Sequence, residues 1–161
     1  MTIEDYNTCV DKHSDKLYRF LLKNIRNEEL ASDFVQDSFE KLWLNYKQVD
    51  VKKAKSYLFS TGYHTMIDYI RKHKRINNIS DGDLNEHSHF EQYSDLKEIL
   101  NQAVERLPED QKAVVLLRDY EGYSYKEIAE ISGLTESQVK VYIYRARVFL
   151  KNYIVKMENV A

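Results

Sequence analysis

The stretch GLTESQVKVYIYRAR, Gly133 to Arg147, carries the side chains in this sequence best suited to reading another molecule. Gly133 marks a turn, and Thr135 with Gln138 has the spacing of a capping box at a helix start. On a 3.6-residue period Val139, Ile143, Ala146 and Leu150 fall on one inward face. Glu136, Ser137, Gln138, Lys140, Val141 and Tyr144 are left outward at the N-terminal end, the end that meets base edges when such a helix enters a DNA major groove. The Gln138 amide can pair with the N6 and N7 edge of adenine, and Arg145 and Arg147 follow at positions suited to phosphates. The same pattern also fits an αα-hairpin with a solvated polar face.

Bond-making chemistry finds little support. His87, Ser88 and His89, with Glu86 and Glu91 close by, have the residue types of a partial metal site, but two histidines in a polar stretch are more often solvated. The sequence has no Gly-rich phosphate loop, nucleophile elbow or paired histidine-glutamate helix motif. Its one cysteine, Cys9, excludes an intramolecular disulfide framework and reads as a small core residue. The expectation is a protein that is not an enzyme and needs no cofactor. No run of about 18 apolar residues occurs and the first residues lack a signal-peptide pattern, so a cytoplasmic protein without membrane insertion is expected.

The elements that must position the reading residues are helices. Only four Gly and one Pro interrupt 161 residues, which favours long helical runs. The net charge of −2 hides a division: residues 1–75 carry 14 Lys+Arg and 11 Asp+Glu, residues 76–95 none and five, residues 96–161 ten and ten. An acidic spacer therefore separates two blocks that hold all the basic side chains. Thr2 and Asp5 cap a first helix with Tyr6, Val10, Leu17 and Leu21 at helical spacing. A second starts near Asn27, with Leu30, Phe34, Leu42 and Trp43 on its apolar stripe and Ser32, Asp33, Gln36, Asp37 and Glu40 on its polar one. A third runs from about Lys52 to Lys74, with Ala54, Leu58, Thr61 and Thr65 inward and a basic end, RKHKR. After the spacer, Pro108 closes one helix and opens the next, which ends near Gly122. Ser124 and Glu127 cap a short helix, YKEIAEIS, that stops at Gly133 before the long helix from Thr135 to about Tyr153. Two helices across a glycine turn make a helix-turn-helix.

The segment LPEDQKAVVLLRDYEGYSYKEIAEISGLTESQVKVYIYRAR, Leu107 to Arg147, resembles region 4 of bacterial RNA polymerase sigma factors of the extracytoplasmic function (ECF) group. ASDFVQDSFEKLW, Ala31 to Trp43, and SYLFSTGYHTMIDYIRKHKR, Ser56 to Arg75, resemble region 2 of the same group, in the same order and separation. The resemblance implies an all-α protein of two small helical domains, a region 2 bundle over residues 1–75 and a region 4 helix-turn-helix domain over residues 96–161, joined by an acidic flexible linker over residues 76–95. It implies a transcription initiation factor that binds core RNA polymerase, through the clamp helices of the largest subunit and the flap of the second-largest, and directs it to promoter DNA. Asp33, Gln36, Asp37, Glu40 and Lys41 would then meet polymerase. Lys55, Tyr57, Phe59, Tyr63, His64, Arg71, Lys72, Lys74 and Arg75 would hold the melted non-template strand, with rings for stacking and cations for phosphates. Tyr57 and Tyr69 fit a core role equally well. Ser124, Glu136, Ser137, Gln138, Lys140, Val141, Tyr144, Arg145 and Arg147 would contact upstream duplex. The spacer, acidic between residues 81 and 95, would mimic a nucleic-acid strand, or simply be a solvated linker. An anti-sigma factor, often membrane-anchored in this group, is the implied regulator.

Departures from the group pattern are Ser137-Gln138 for the usual Gly-Thr, Val141-Tyr142 for Ser-Arg, and Tyr63-His64 for Arg-Asn. Each lost cation or amide removes a DNA contact. Two consequences are open: a changed promoter sequence, or reliance on an accessory DNA-targeting protein. A helix-turn-helix regulator that acts without joining polymerase is the alternative from another class.

Overall fold

In the computed structural model the backbone is described for residues 1–77 and 96–160 and the side chains for residues 1–74 and 96–158. The expected acidic spacer and the His87–His89 cluster lie outside the described residues. So does the Arg75 side chain.

Among the described residues every regular element is helical: α1 (Ile3–Ile25), α2 (Glu28–Asn45), a 3-10 turn (Val51–Lys53), α3 (Ala54–Asn77), α4 (Leu96–Glu105), α5 (Glu109–Val115) running into a π-helical turn (Leu116–Tyr120), α6 (Tyr125–Ser132) and α7 (Glu136–Val160). The starts follow from capping chemistry. Thr2 Oγ1 accepts from the Asp5 amide while the Asp5 carboxylate accepts from the Thr2 amide, and Asn27 Oδ1 accepts from the Leu30 amide. Each bond satisfies a donor that the first helical turn leaves open.

The first three helices form one bundle. Leu17, Phe20 and Leu21 of α1 meet Ala31 and Leu42 of α2 and Leu58, Phe59 and Met66 of α3, all essentially removed from solvent. Burying side chains of this size stabilises by roughly 1.5–3 kcal/mol each, so this apolar cluster holds the bundle together. Gly62 permits the close approach of α1 and α3: a Cβ there would lie 3.0 Å from Leu17 Cδ1. Trp43 departs from the expected stripe. It is 43% exposed, stacked on Tyr46 with centroids 5.1 Å apart.

The last four helices form the second unit. Ala113, Val114 and Leu117 line one side of its core, and Ile128, Ile131, Val139 and Ile143 the other. Ser124 and Glu127 cap α6 reciprocally, and Gly133 ends α6 at φ 79°, a left-handed conformation that a Cβ would strain.

The two units pack against each other, α3 lying along α6 and also touching α5. This explains a second departure. The buried face of α3 is not the single stripe Ala54, Leu58, Thr61, Thr65; it widens to include Phe59, Gly62, Tyr63, Met66 and Ile67, while Thr61 and Thr65 are only half-buried. A helix covered by a bundle on one side and by another unit on the other needs apolar residues around more of its circumference.

Candidate nucleic-acid interface

Three faces were singled out by residue type, and each has a distinct fate in the fold. On α2, Asp33, Gln36, Asp37, Glu40 and Lys41 are all exposed. Their 3–4 residue spacing aligns them as one ridge opposite Phe34, Phe39 and Leu42, which bury into the bundle.

On α3 the strand candidates divide. Lys72 and His64 are exposed. Tyr57 is half-buried, its hydroxyl accepting from Asn45 Nδ2 at 3.2 Å and donating to the Lys41 carbonyl at 3.4 Å. Tyr69 is half-buried between Phe34 and His73, stacked on the latter at 4.3 Å. Phe59 and Tyr63 contradict the expectation of rings presented to a strand: they are 0% and 3% exposed, Phe59 lying against Phe20 of α1 at 5.6 Å as well as against the second unit. Phe59 meets Tyr123 edge-on at 5.4 Å. Burial pushes the Tyr63 phenol up to about 12, with the nearby Asp110 carboxylate adding to the shift and Arg71 opposing it.

The cations of α3 are engaged as well. Arg71 pairs with Asp110 at 3.4 Å and Lys74 with Glu109 at 2.9 Å, while Lys55 sits 4.7 Å above the Tyr123 ring. Partial burial disfavours the Glu109 carboxylate, but the Lys74 hydrogen bond, the backbone and the charges of Lys74 and Arg71 outweigh it and hold its pKa low.

On α6 and α7, Ser124, Glu136, Ser137, Gln138, Lys140, Val141, Tyr144, Arg145 and Arg147 are all exposed, Tyr144 by 70%. Gln138, expected to read adenine, has its amide oxygen in the helix cap. Its Oε1 accepts from the Thr135 amide at 2.9 Å and from Thr135 Oγ1 at 3.2 Å, so the oxygen needed for the adenine N6 edge is committed to the cap. Arg147 is bound to Asp119 at 2.6 Å, a hydrogen bond that raises its already high pKa. The π-helical turn carries Asp119 to this position.

Residues that sequence reasoning passed over sit at the junction of the units. Lys112, 8% exposed, donates to the Asn24 carbonyl at 3.1 Å, one of the carbonyls that the end of α1 leaves without an intrahelical partner. Burial pushes its pKa down. Tyr123, 3% exposed, buries a hydroxyl with no hydrogen-bond partner among the described residues. Beside Lys112 a cleft of about 600 Å³ opens between Tyr69, His73 and Lys74 on one side and Arg106, Pro108 and Glu109 on the other. Lys112 follows the polar run EDQ and Tyr123 lies between Gly122 and Ser124, so the local sequence gives no signal of their burial or of their long-range partners. Among the described residues no cluster of three or more metal-ligating side chains occurs, and no helix is long and apolar enough to cross a membrane.

A three-helix bundle with an acidic ridge, followed by a helix-turn-helix, defines a sigma-type protein. Residues 9–76 match the family model for Sigma-70 region 2, and residues 97–150 match Sigma-70, region 4. The ECF RNA polymerase sigma factor SigM of Bacillus subtilis (strain 168) is 31% identical over 156 residues that cover 94% of each chain. RNA polymerase sigma factor SigV of the same organism is 30% identical, over 92% of this chain and 90% of its own. The sigma factor RpoE of Bartonella quintana, solved in complex with the anti-sigma factor NepR, superposes with a TM-score of 0.76 at 26% identity, over 94% of this chain and 97% of that one. The chain belongs to the ECF RNA polymerase sigma factors.

Proposed function

We propose that this protein is a promoter-directing initiation factor that contributes binding surfaces, with no catalysis of its own, to core RNA polymerase in the bacterial cytoplasm. The single observation that carries this reading is the order of surfaces along the chain. An exposed acidic ridge on α2 is followed by a basic, ring-rich α3 and then by a helix-turn-helix. A free-standing duplex-binding regulator has use for the last of these only.

Asp33, Gln36, Asp37, Glu40 and Lys41 dock on the clamp helices of the largest polymerase subunit, and residues 96–161 reach the flap of the second-largest. Lys55, His64, Arg71, Lys72, Lys74 and Arg75 hold melted non-template strand by its phosphates, with the half-buried Tyr57 as the ring left to stack on a base. The exposed end of α7, from Glu136 to Arg147, contacts upstream duplex, and Val141 and Tyr144 offer apolar contact to thymine methyls. The functional division falls at residues 1–75, 76–95 and 96–161. An anti-sigma factor is the expected regulator. With Gln138 tied into the cap and Arg147 into a pair with Asp119, fewer side chains are left for duplex readout. That supports a changed promoter sequence, with an accessory DNA-targeting protein as the second explanation.

Charge reversal at Asp37 and Glu40 tests the reading. Loss of core polymerase binding with duplex binding retained supports it; unchanged polymerase binding sinks it.

A further inference from the structure

Neither the acidic ridge of α2 nor the helix-turn-helix accounts for the cleft beside Lys112. Its volume of about 600 Å³ lies in the range of sites that enclose a small ligand. One wall carries a ring pair, Tyr69 stacked on His73 with centroids 4.3 Å apart and the Tyr69 hydroxyl 3.2 Å from His73 Nε2. Ile25, Ile70 and Leu107 add apolar surface, and Lys74, Arg106 and Lys112 bring three cations to the lining.

Two carboxylates also line the cleft, and both are engaged. Glu109 is paired with Lys74 at 2.9 Å and Glu105 with Arg26 at 2.8 Å. That leaves Arg106 and Lys112, neither of which has a carboxylate partner among the described residues. Arg106 is exposed, its guanidinium 5.4 Å from the centre of the Tyr153 ring. Lys112 is buried, at 8% exposure. An ammonium carries three donors, yet this one has a single acceptor among the described residues, the Asn24 carbonyl at 3.1 Å. Burial without a counter-charge disfavours the charged form, and the Lys112 pKa is accordingly lowered. An anionic group in the cleft would supply both the counter-charge and the missing acceptors.

We propose that this cleft binds a small aromatic anion of the nucleoside monophosphate class, its base against the Tyr69–His73 pair and its phosphate on Lys112 and Arg106. Every base has a face that stacks on a ring, so the site selects a ring joined to a phosphate rather than one base. Such binding is independent of the polymerase and promoter assignments.

The full chain, isotopically labelled for amide NMR, is titrated with adenosine monophosphate (AMP), with adenosine and with inorganic phosphate. The expected result is saturable AMP binding with the largest shifts at Tyr69, His73, Arg106 and Lys112, and binding of adenosine and of phosphate each weaker by about tenfold or more. Arg106→Gln, at an exposed position, and Lys112→Met should each weaken AMP by about tenfold, the loss of one hydrogen bond to a charged group. No saturable shift with AMP at millimolar concentration overturns the proposal, as does AMP affinity that Arg106→Gln leaves unchanged. Phosphate as tight as AMP means an adventitious ion only, and adenosine as tight as AMP removes the role of the cations; either result overturns it. Displacement of AMP by an equal concentration of a single-stranded DNA oligomer would make the cleft part of the strand path, and overturns a free-nucleotide site as well.

Discussion

Replacing Tyr123 by Phe should make the protein more stable, although it deletes an atom from a well-packed site. The Tyr123 side chain lies between the two units at 3% exposure, its ring edge-on to Phe59 and under the Lys55 ammonium. Tyr123→Phe keeps both ring contacts and removes only a hydroxyl that has lost water and gained no partner among the described residues. A buried unsatisfied polar group costs about 1–3 kcal/mol, and deleting the oxygen leaves a gap that offsets part of the gain, so a net stabilisation of about 1 kcal/mol is expected. For a chain of this length that is a rise in Tm of roughly 2–4 °C. Urea denaturation followed by circular dichroism measures it as a higher midpoint at unchanged slope. The variant should also lose less stability in alkali. Burial, aided by Glu121 and Glu127, raises the Tyr123 pKa, so its stabilisation is complete below pH 10 and fades as the pH climbs above it. A loss of 0.5 kcal/mol or more in Tyr123→Phe would refute the reasoning, since it would mean that the hydroxyl holds a bond worth keeping.

Tyr63→Phe should flatten the alkaline limb as well: burial raises its pKa to about 12, about two units above the unfolded value, so about 2–3 kcal/mol of folding stability present below pH 10 is lost between pH 10 and pH 12, measurable by denaturation across that range. Gly133→Ala should destabilise by roughly 1–2 kcal/mol, read in the same assay, because φ 79° is a left-handed conformation and not because space is lacking. The double variant Asp37→Lys, Glu40→Lys should stay within about 0.5 kcal/mol of the parent in stability, since both side chains are exposed, while a pull-down with core polymerase falls to background.

Helix starts were legible in the sequence because capping is a local matter. Thr2-Asp5, Ser124-Glu127 and Thr135-Gln138 each place donor and acceptor three residues apart, and each forms the expected bonds. The acidic ridge of α2 was legible for the same reason, as one strip of helical surface. The fate of α3 was not. Its rings and cations are the same whether they face solvent or a second unit, and periodicity cannot name the element that covers a face. The pairs Arg71–Asp110 and Lys74–Glu109 join residues 39 and 35 positions apart across the spacer, and Arg19–Glu121 spans 102. At Gln138 the sequence offers two uses of one amide, a cap and a base contact, and its spacing shows only the first. The cap sits within its own helical turn and claims the oxygen first.

Run-off transcription from fragmented host DNA, with core polymerase and mapped start sites, tests the central claim most directly. The account predicts start sites that appear only with this protein, share an upstream and a melted-strand sequence, and vanish with the Asp37→Lys, Glu40→Lys variant. A holoenzyme that assembles yet produces only the starts of core polymerase alone would contradict it.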